Sequence, residues 1–596
     1  MTNAFGRPTA ESRNDCYGYA TDTTFIPMTN SPPHELQHPR AWLLGGLAAV
    51  LLRGLPDLRY PIGVDQGIYS IVGQGLLHGQ LPYRDFWDLK PPGIYYIYAL
   101  IVKIFGPVMW CVGVVDLLWL LAISVCIFYF ARSYVGTQAA TLAMVFNASR
   151  HSRIGYNSAA QAESFLMLCA FAAWFLLREG DHPTVPPRDL TASPPLESRQ
   201  GWSLFRCFMA GLVLGVAVWL KYNAVIFFPF VLLLPFVEFH ESGQESLGMR
   251  MTISWRDWLL RMSFVACGLA LAIAAVLVHF SASGAWPAMK EAHFELMLRY
   301  GATGFQWRSD YLAHALRMTQ FYIGFWTEVM VLLSLIIALW RREIASLVPT
   351  LSLALAGFLC VATQGRFHIY HFETCHPFLS IFWGYMCVKA WKGSCFLRGV
   401  FAARRWALAG ALTWILLASV VFAFLAEECV RAVQQYVFFA DWLKDPDVSY
   451  RNYYPQLSLE KLSDQLHIID FLKQNSKPED AVYVWGMAPL INLLSRRASP
   501  TRFFYNYPLI STWGLEKWRV EVVRALESKR PRYIIVERDD ANPMFTGNIM
   551  TSQQYLRLGQ YPGLSSFLRD NYEPLLNNTD FEVYALARCG WRVSKR

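Results

Sequence analysis

Residues 60–93 read YPIGVDQGIYSIVGQGLLHGQLPYRDFWDLKPPG and crowd Asp65, Arg84, Asp85, Asp88 and Lys90 into one polar stretch between apolar runs. Further along, Tyr156 and Glu163 flank the start of another apolar run. Lys221 interrupts a long one, and GRFHIYH (365–371) brings Arg366, His368, Tyr370 and His371 together. A carboxylate within hydrogen-bond reach can take or give a proton, and lysine, arginine and histidine can hold an anion. Ionisable groups at or just inside a membrane are expensive and are usually retained for function. These residues are therefore the candidates for chemistry, provided that the chain brings them to one place.

The elements that must position them are membrane helices. Of the 596 residues, 54% are hydrophobic and only 16% charged, against about 25% charged in an ordinary soluble protein. The apolar residues are bunched in runs such as 117–130, 208–220, 265–278, 329–339 and 408–424, as expected for bilayer-crossing segments of about 20 residues. The net charge of +9 sits largely in short loops, which follows the positive-inside bias and is no footprint of nucleic-acid binding. Cysteines such as Cys126, Cys169, Cys207, Cys267, Cys360 and Cys387 lie inside apolar segments with no metal-ligand spacing, so they read as small hydrophobes. Residues 1–40 are polar and lack an apolar signal core. A disordered cytoplasmic tail is expected there, followed by an uncleaved anchor.

Twelve apolar segments are candidates, near 41–58, 93–106, 111–131, 136–149, 158–178, 205–220, 222–239, 257–281, 319–340, 344–363, 375–392 and 405–426. Lys389, Lys392, Arg398, Arg404 and Arg405 place the loop before the last segment in the cytoplasm. Arg341 and Arg342, Arg250 and Arg256, and Arg199 and Arg206 do the same for 340–344, 240–256 and 179–204. The turns at 150–157 and 221–222, the loops 282–318 and 363–374, and all of 427–596 then face outside. An inside start and an outside end require an odd number of spans. The weakest segment, 93–106, is Tyr-rich and only about 21 Å long as a helix, against a core of about 30 Å. It is expected to lie on the outer membrane face, which leaves eleven spans. With that topology Asp65, Arg84, Asp85, Asp88, Lys90, Arg150, Tyr156, Asn157, Glu163, Lys221, Arg366, His368, Tyr370 and His371 all fall on the outer side.

Each residue also has a plainer reading. Asp65 precedes an amphipathic segment, 66–78, and could simply cap its N-terminus. Lys221 could reach for the headgroups, the 366–371 cluster could be an interfacial belt, and Glu163 could be a helix-packing carboxylate. Pro91 and Pro92 are expected to hold the backbone extended beside Asp88 and Lys90. The loop 282–318, with Trp286, His293, Arg299, Trp307 and Arg308, is a candidate flexible cover. From 427 the composition becomes that of a soluble domain. An amphipathic helix at 465–473, strands at 481–485, 532–537 and 581–587, and a helix at 515–529 suggest a small α/β layer. No nucleotide-binding glycine loop is present.

The pattern D-x-G-x-Y-x-x-x-G-Q-x-L-L-x-G-x-x-P-Y-R-D-x-x-D-x-K-P-P-G (65–93) resembles that of bacterial membrane glycosyltransferases of the GT-C superfamily. This group includes protein O-mannosyltransferases, the aminoarabinose transferase of lipid A and rhizobial galacturonosyltransferases. GLVLGVAVWLKYNAVIFFP (211–229), GRFHIYHFETCHPFL (365–379) and DAVYVWGMAPLINLLSRRASPTRFFY (480–505) extend the resemblance along the chain.

The resemblance implies an α-helical polytopic membrane protein of GT-C type, with about eleven transmembrane helices over 41–426. A catalytic first outer loop would span 59–108, and an extracytoplasmic α/β domain 427–596. It implies a bacterial inner-membrane enzyme with a periplasmic site, such as those that modify lipopolysaccharide. A sugar, hexosyl or pentosyl, would pass from a polyprenyl-phosphate carrier to a lipid, glycan or protein hydroxyl with inversion. Asp65 matches the aspartate that serves as general base or helps to bind a metal. Lys90, Lys221 and Arg366 would hold the leaving phosphate, with His368, Tyr370 and His371 as donors. Arg84, Asp85, Asp88, Tyr156 and Glu163 would position sugar or acceptor. The usual acidic neighbour of Asp65 is here Gln66, so a divalent metal would need Asp65 with Asp88 or Asp85. The rival from another class, a transporter or flippase of lipid-linked sugars, predicts internal repeats and charged groups near the bilayer midplane. The sequence displays neither. A ligase moving a whole glycan and a catalytically silent relative are further alternatives.

Overall fold

The computed structural model describes residues 38–178, 196–241, 247–297, 299, 311–400, 407–453 and 462–587. Arg40–Arg596 forms one compact unit. The tail expected over 1–40 lies almost wholly outside the described residues, as do Trp307, Arg308, Arg404 and Arg405.

Four described helices, Pro39–Arg59, Cys111–Val135, Ser203–Leu220 and Trp255–Ala282, are long and apolar enough to cross a membrane. The pair Leu312–Ile323 and Phe325–Trp340 makes a fifth if taken as one span. Shorter apolar helices cover Gly93–Phe105, Ala162–Leu177, Tyr222–Phe236 and Val348–Ala362. The chain is a multi-pass membrane protein, and length and composition alone give up to five spans among the described residues. Large apolar side chains such as Leu44, Leu118, Leu271, Val278 and Leu332 point outward, as a lipid-facing surface requires. Ser203–Leu220 and Trp255–Ala282 touch backbone to backbone at glycines. A methyl group at Gly211 would lie 2.0 Å from Val265 O, and one at Gly268 2.1 Å from Phe208 O. Small residues permit this approach, which substitutes for the missing hydrophobic drive between helices in lipid.

Several elements differ from the sequence expectation. The segment 319–340 is not one straight span; it bends by 91° at the break, where Gly324 has φ +84°, a region open to glycine. The segment 222–239 is broken into 3-10 turns and a short helix, Phe228–Leu233, with Pro229 and Pro235 cutting the ladder. It ends in a strand, Val237–Glu241, that pairs with Leu247–Met251. Pro92 is not extended: it has φ −68° and ψ −20° and opens the helix Gly93–Phe105, since a proline costs nothing where the N–H has no helical partner. That helix is 13 residues long. The last apolar helix runs without interruption from Ala407 to Lys444, past the boundary expected at 427.

The first outer loop holds the helix Val64–Leu77, seated on Gly93–Phe105 because Gly73 lets the Tyr98–Ala99 backbone approach; a Cβ there would lie 2.6 Å from Ala99 N. The C-terminal part forms a four-stranded sheet in the order Val482–Trp485, Tyr533–Glu537, Phe581–Leu586, Tyr572–Asn577. The first pair is parallel and the others antiparallel, with helices such as Leu462–Asn475 and Glu516–Lys529 around it. This is the expected α/β layer. Trp87 of the first loop docks it: its ring lies 5.3–6.0 Å from those of Phe503, Tyr505, Trp513 and Trp518, and its backbone N–H donates to Arg502 O at 2.9 Å. The candidate loop is thus the seam between the membrane part and the C-terminal α/β domain, the domain expected on the outer side.

Candidate functional site

A cavity of about 340 Å³ opens at this seam, lined by Asp65, Asp88, Lys90, Lys221, Arg366, His368, Tyr370 and His371. Four separate stretches of sequence supply these side chains. Asp65 stands in the first turn of Val64–Leu77, while the N-cap position belongs to Gly63, so Asp65 does not cap its helix. Its Oδ2 accepts from Lys90 Nζ at 3.3 Å. Lys90 Nζ also lies 5.5 Å from the ring centres of Tyr69 and Tyr370, within cation–π range. Lys221, just beyond its helix, donates to Glu163 and stands 5.8 Å from the Tyr370 ring. His371 Nε2 is 3.7 Å from Glu163 Oε1. His368 stacks on Tyr370 at 5.5 Å and on Phe545 of the outer domain at 4.8 Å.

The electrostatics follow from this pairing. Burial pushes the Asp65 carboxyl up, but the charge of Lys90 and the hydrogen bonds from Lys90 and Tyr370 outweigh it, leaving the carboxyl below its ordinary value. Burial opposes the Lys90 charge, yet Asp65, Tyr370, Tyr69 and Glu163 hold its pKa well above the usual lysine value. Lys221 goes the other way: burial dominates, Glu163 opposes it, and the repulsion of Lys90 adds to a net lowering. Burial takes His368 down to about 3 and His371 well below its ordinary value. Both histidines are therefore neutral at physiological pH and act as hydrogen-bonding groups, not as cations.

The remaining candidates fall elsewhere or serve as supports. Asp88 lines the cavity, but Oδ2 accepts from Tyr95 at 2.7 Å and Oδ1 from Tyr505 at 3.1 Å and from Leu89 N at 2.7 Å. Burial raises its pKa against the pull of Lys90. Glu163 sits behind the cavity wall as the partner of Lys221. Tyr156 is buried and its carbonyl accepts from Gln66. Arg84 and Asp85 are not brought to the cavity. They pair with each other at 2.8 Å, and Asp85 ties the turn by accepting from Leu81 N at 2.8 Å. They line a separate polar groove between the loop and Arg496–Arg502. In the 282–318 loop, His293 is buried edge-on against Tyr83 and Tyr222, and Met297 reaches the cavity.

The donor set does not suit a divalent cation. Gln66 is turned away, its Nε2 donating to Tyr156 O and Ala159 O at 3.0 Å each. Asp65 is engaged by Lys90, and Asp88 by two tyrosines and a backbone N–H. Among the described residues no three His, Cys, Asp or Glu side chains are grouped to hold a metal ion.

Sequence reasoning missed two features. One is the outer-domain lining, Met487, Tyr505, Tyr507, Trp513 and Phe545. The other is a buried bridge behind the site, where His151 Nε2 lies 2.7 Å from Asp116 Oδ2 and Nδ1 3.0 Å from Glu373 Oε1. Asp116 Oδ1 also accepts from Ala160 N, so the bridge ties the segments bearing Glu163 and His371 together. The only trace of it in the sequence is Asp116 and Glu373 standing beside apolar runs.

The architecture, an apolar helical domain with an α/β domain over it, recurs in solved structures at low sequence identity. The chain is similar to ArnT from Cupriavidus metallidurans bound to undecaprenyl phosphate, with TM-score 0.52 and 14% identity over 92% of this chain and 98% of that one. The apo state of the same protein gives 0.50 and 14% over 91% and 98%. The family model described as dolichyl-phosphate-mannose-protein mannosyltransferase matches residues 89–185, a stretch that includes Lys90 and Glu163 but not Asp65, Lys221 or 366–371. No curated protein matches the chain significantly.

Proposed function

We propose that this protein is a glycosyltransferase that moves a single sugar from a polyprenyl-phosphate carrier to a hydroxyl of a lipid, glycan or protein. The observation that carries the reading is one cavity holding an ionised aspartate beside Lys90, Lys221, Arg366, His368, Tyr370 and His371. Asp65, ionised at neutral pH, takes the acceptor proton as the hydroxyl oxygen attacks the anomeric carbon. The carbon–oxygen bond to the phosphate breaks on the opposite face, so the configuration inverts. Negative charge grows on the departing phosphate, and Lys90, Lys221 and Arg366 stabilise it, with the neutral histidines and Tyr370 as donors. The positive-inside argument puts the site on the outer face of the membrane, and the resemblance to bacterial enzymes makes that a bacterial inner membrane. No step runs through a metal.

A transporter of lipid-linked sugars could draw on the bend at Gly324, but a carboxylate paired to lysine in the cavity, together with the family match, favours transfer. Mass spectrometry of cell-envelope glycolipids and glycans, with and without the gene, tests the reading. Its loss should remove one sugar from one acceptor class and accumulate polyprenyl-phosphate sugar. Unchanged envelope glycans with lipid-linked sugar stranded on the cytoplasmic leaflet would instead indicate a transporter.

A further inference from the structure

The cavity has two chemically distinct walls. All three cations that line it, Lys90, Lys221 and Arg366, come from the membrane part. The five outer-domain residues that line it, Met487, Tyr505, Tyr507, Trp513 and Phe545, include no formal charge. The acids behind this wall are turned into the domain: Glu537 accepts from Met487 N at 2.6 Å, and Asp540 from Ser552 N at 2.6 Å. Asp88, where the walls meet, is engaged by Tyr95 and Tyr505. An aromatic strip runs from the phosphate side to the roof: His368 stacks on Phe545 within 8° of parallel, and Phe545 lies 6.2 Å from Tyr507. Tyr507 and Phe545 are half-buried and so present ring surface to the cavity.

We infer that the outer-domain wall is the sugar subsite, with Tyr507 and Phe545 its stacking surface, and that it takes an uncharged ring sugar. This rests on the glycosyl-transfer reading above. A pyranose ring has an apolar C–H face that packs on an aromatic ring as apolar side chains do. A carboxylated or amino sugar would bring a formal charge against a wall that offers it no opposite charge, at a desolvation cost. The volume of about 340 Å³ is near the small end of ligand pockets and suits one ring with its phosphate. The outer domain would thus choose the sugar, while the membrane part grips the carrier that all such donors share.

The test measures binding to the full-length protein in detergent. The probes are polyprenyl monophosphate alone and polyprenyl phosphates bearing neutral hexoses, a uronic acid or an amino sugar. Wild type should bind at least one neutral-hexose donor more tightly than the bare phosphate. Tyr507→Leu should weaken that donor by about three- to tenfold and leave the bare phosphate unchanged; Phe545→Leu, whose ring also supports His368 on the phosphate side, should weaken the donor more than the bare phosphate, and Tyr507→Phe should keep wild-type affinity. Equal weakening of donor and bare phosphate in the leucine variants, no weakening in either, or a charged sugar binding more tightly than every neutral one would overturn the subsite. Wild type that binds no polyprenyl phosphate at all would overturn the transferase reading itself.

Discussion

Asp65 enters the cavity from the first turn of a short helix, and its properties as a base are set by Lys90 at 3.3 Å. With Lys90 present its pKa is depressed, so Asp65 adds stability above its unfolded-state pKa, and that contribution is lost as the pH falls through the lower folded value. The acid limb of kcat/KM should therefore lie below the ordinary aspartate range. Lys90→Met removes the largest opposing influence and leaves burial in charge. The acid limb should then move upward, while kcat falls by about 10²–10³-fold for loss of a cation on the leaving phosphate. A pH–rate profile that keeps its acid limb in Lys90→Met would show that Asp65 is not the titrating group. Much of this chemistry is legible in the sequence, since an ionisable residue interrupting an apolar run stands out. Lys221 and the 366–371 cluster were visible for that reason. Tyr507 and Phe545 were not, because aromatics make up 15% of the chain and no spacing separates a cavity-lining ring from a packing one. Arg84 and Asp85 had the right types but close a turn instead.

At the scale of elements, the helix Val64–Leu77 is held by contacts that its sequence does not advertise. The Gln66 amide donates to two carbonyls of the 156–159 turn. A glutamate there would lose both bonds and set a carboxylate against two buried carbonyl oxygens. Gln66→Glu should destabilise the protein by about 2–4 kcal/mol, seen as a lower melting temperature in detergent; an unchanged melt would show that the turn does not depend on Gln66. The helices themselves follow from apolar periodicity and length, and the strands of the outer domain from their β-branched and aromatic runs. The breaks were less legible. The bend at Gly324, the prolines that cut 222–236, and the hairpin 237–251 each depend on local backbone geometry that a hydropathy pattern averages away. Pro92, expected to be extended, instead opens the helix Gly93–Phe105, because proline is tolerated at a helix start.

Across the whole molecule, the first outer loop divides its residues between two partners. Asp65 and Lys90 belong to a cavity whose floor is membrane helices, while Trp87, between them and the outer domain, is clasped by Phe503, Tyr505, Trp513 and Trp518. The α/β layer was legible as alternating elements, yet nothing in its sequence announced that it roofs the site. That follows from the tertiary placement of the loops after Trp485 and Glu537, the C-terminal ends of its two parallel strands. Most direct for the account's central claim is the turnover of polyprenyl-phosphate sugar by purified wild type and Asp65→Asn, with carrier binding measured in parallel. The account predicts that Asp65→Asn folds, binds the carrier phosphate, and loses transfer by about 10²–10⁴-fold; transfer at near wild-type rate by Asp65→Asn would contradict it.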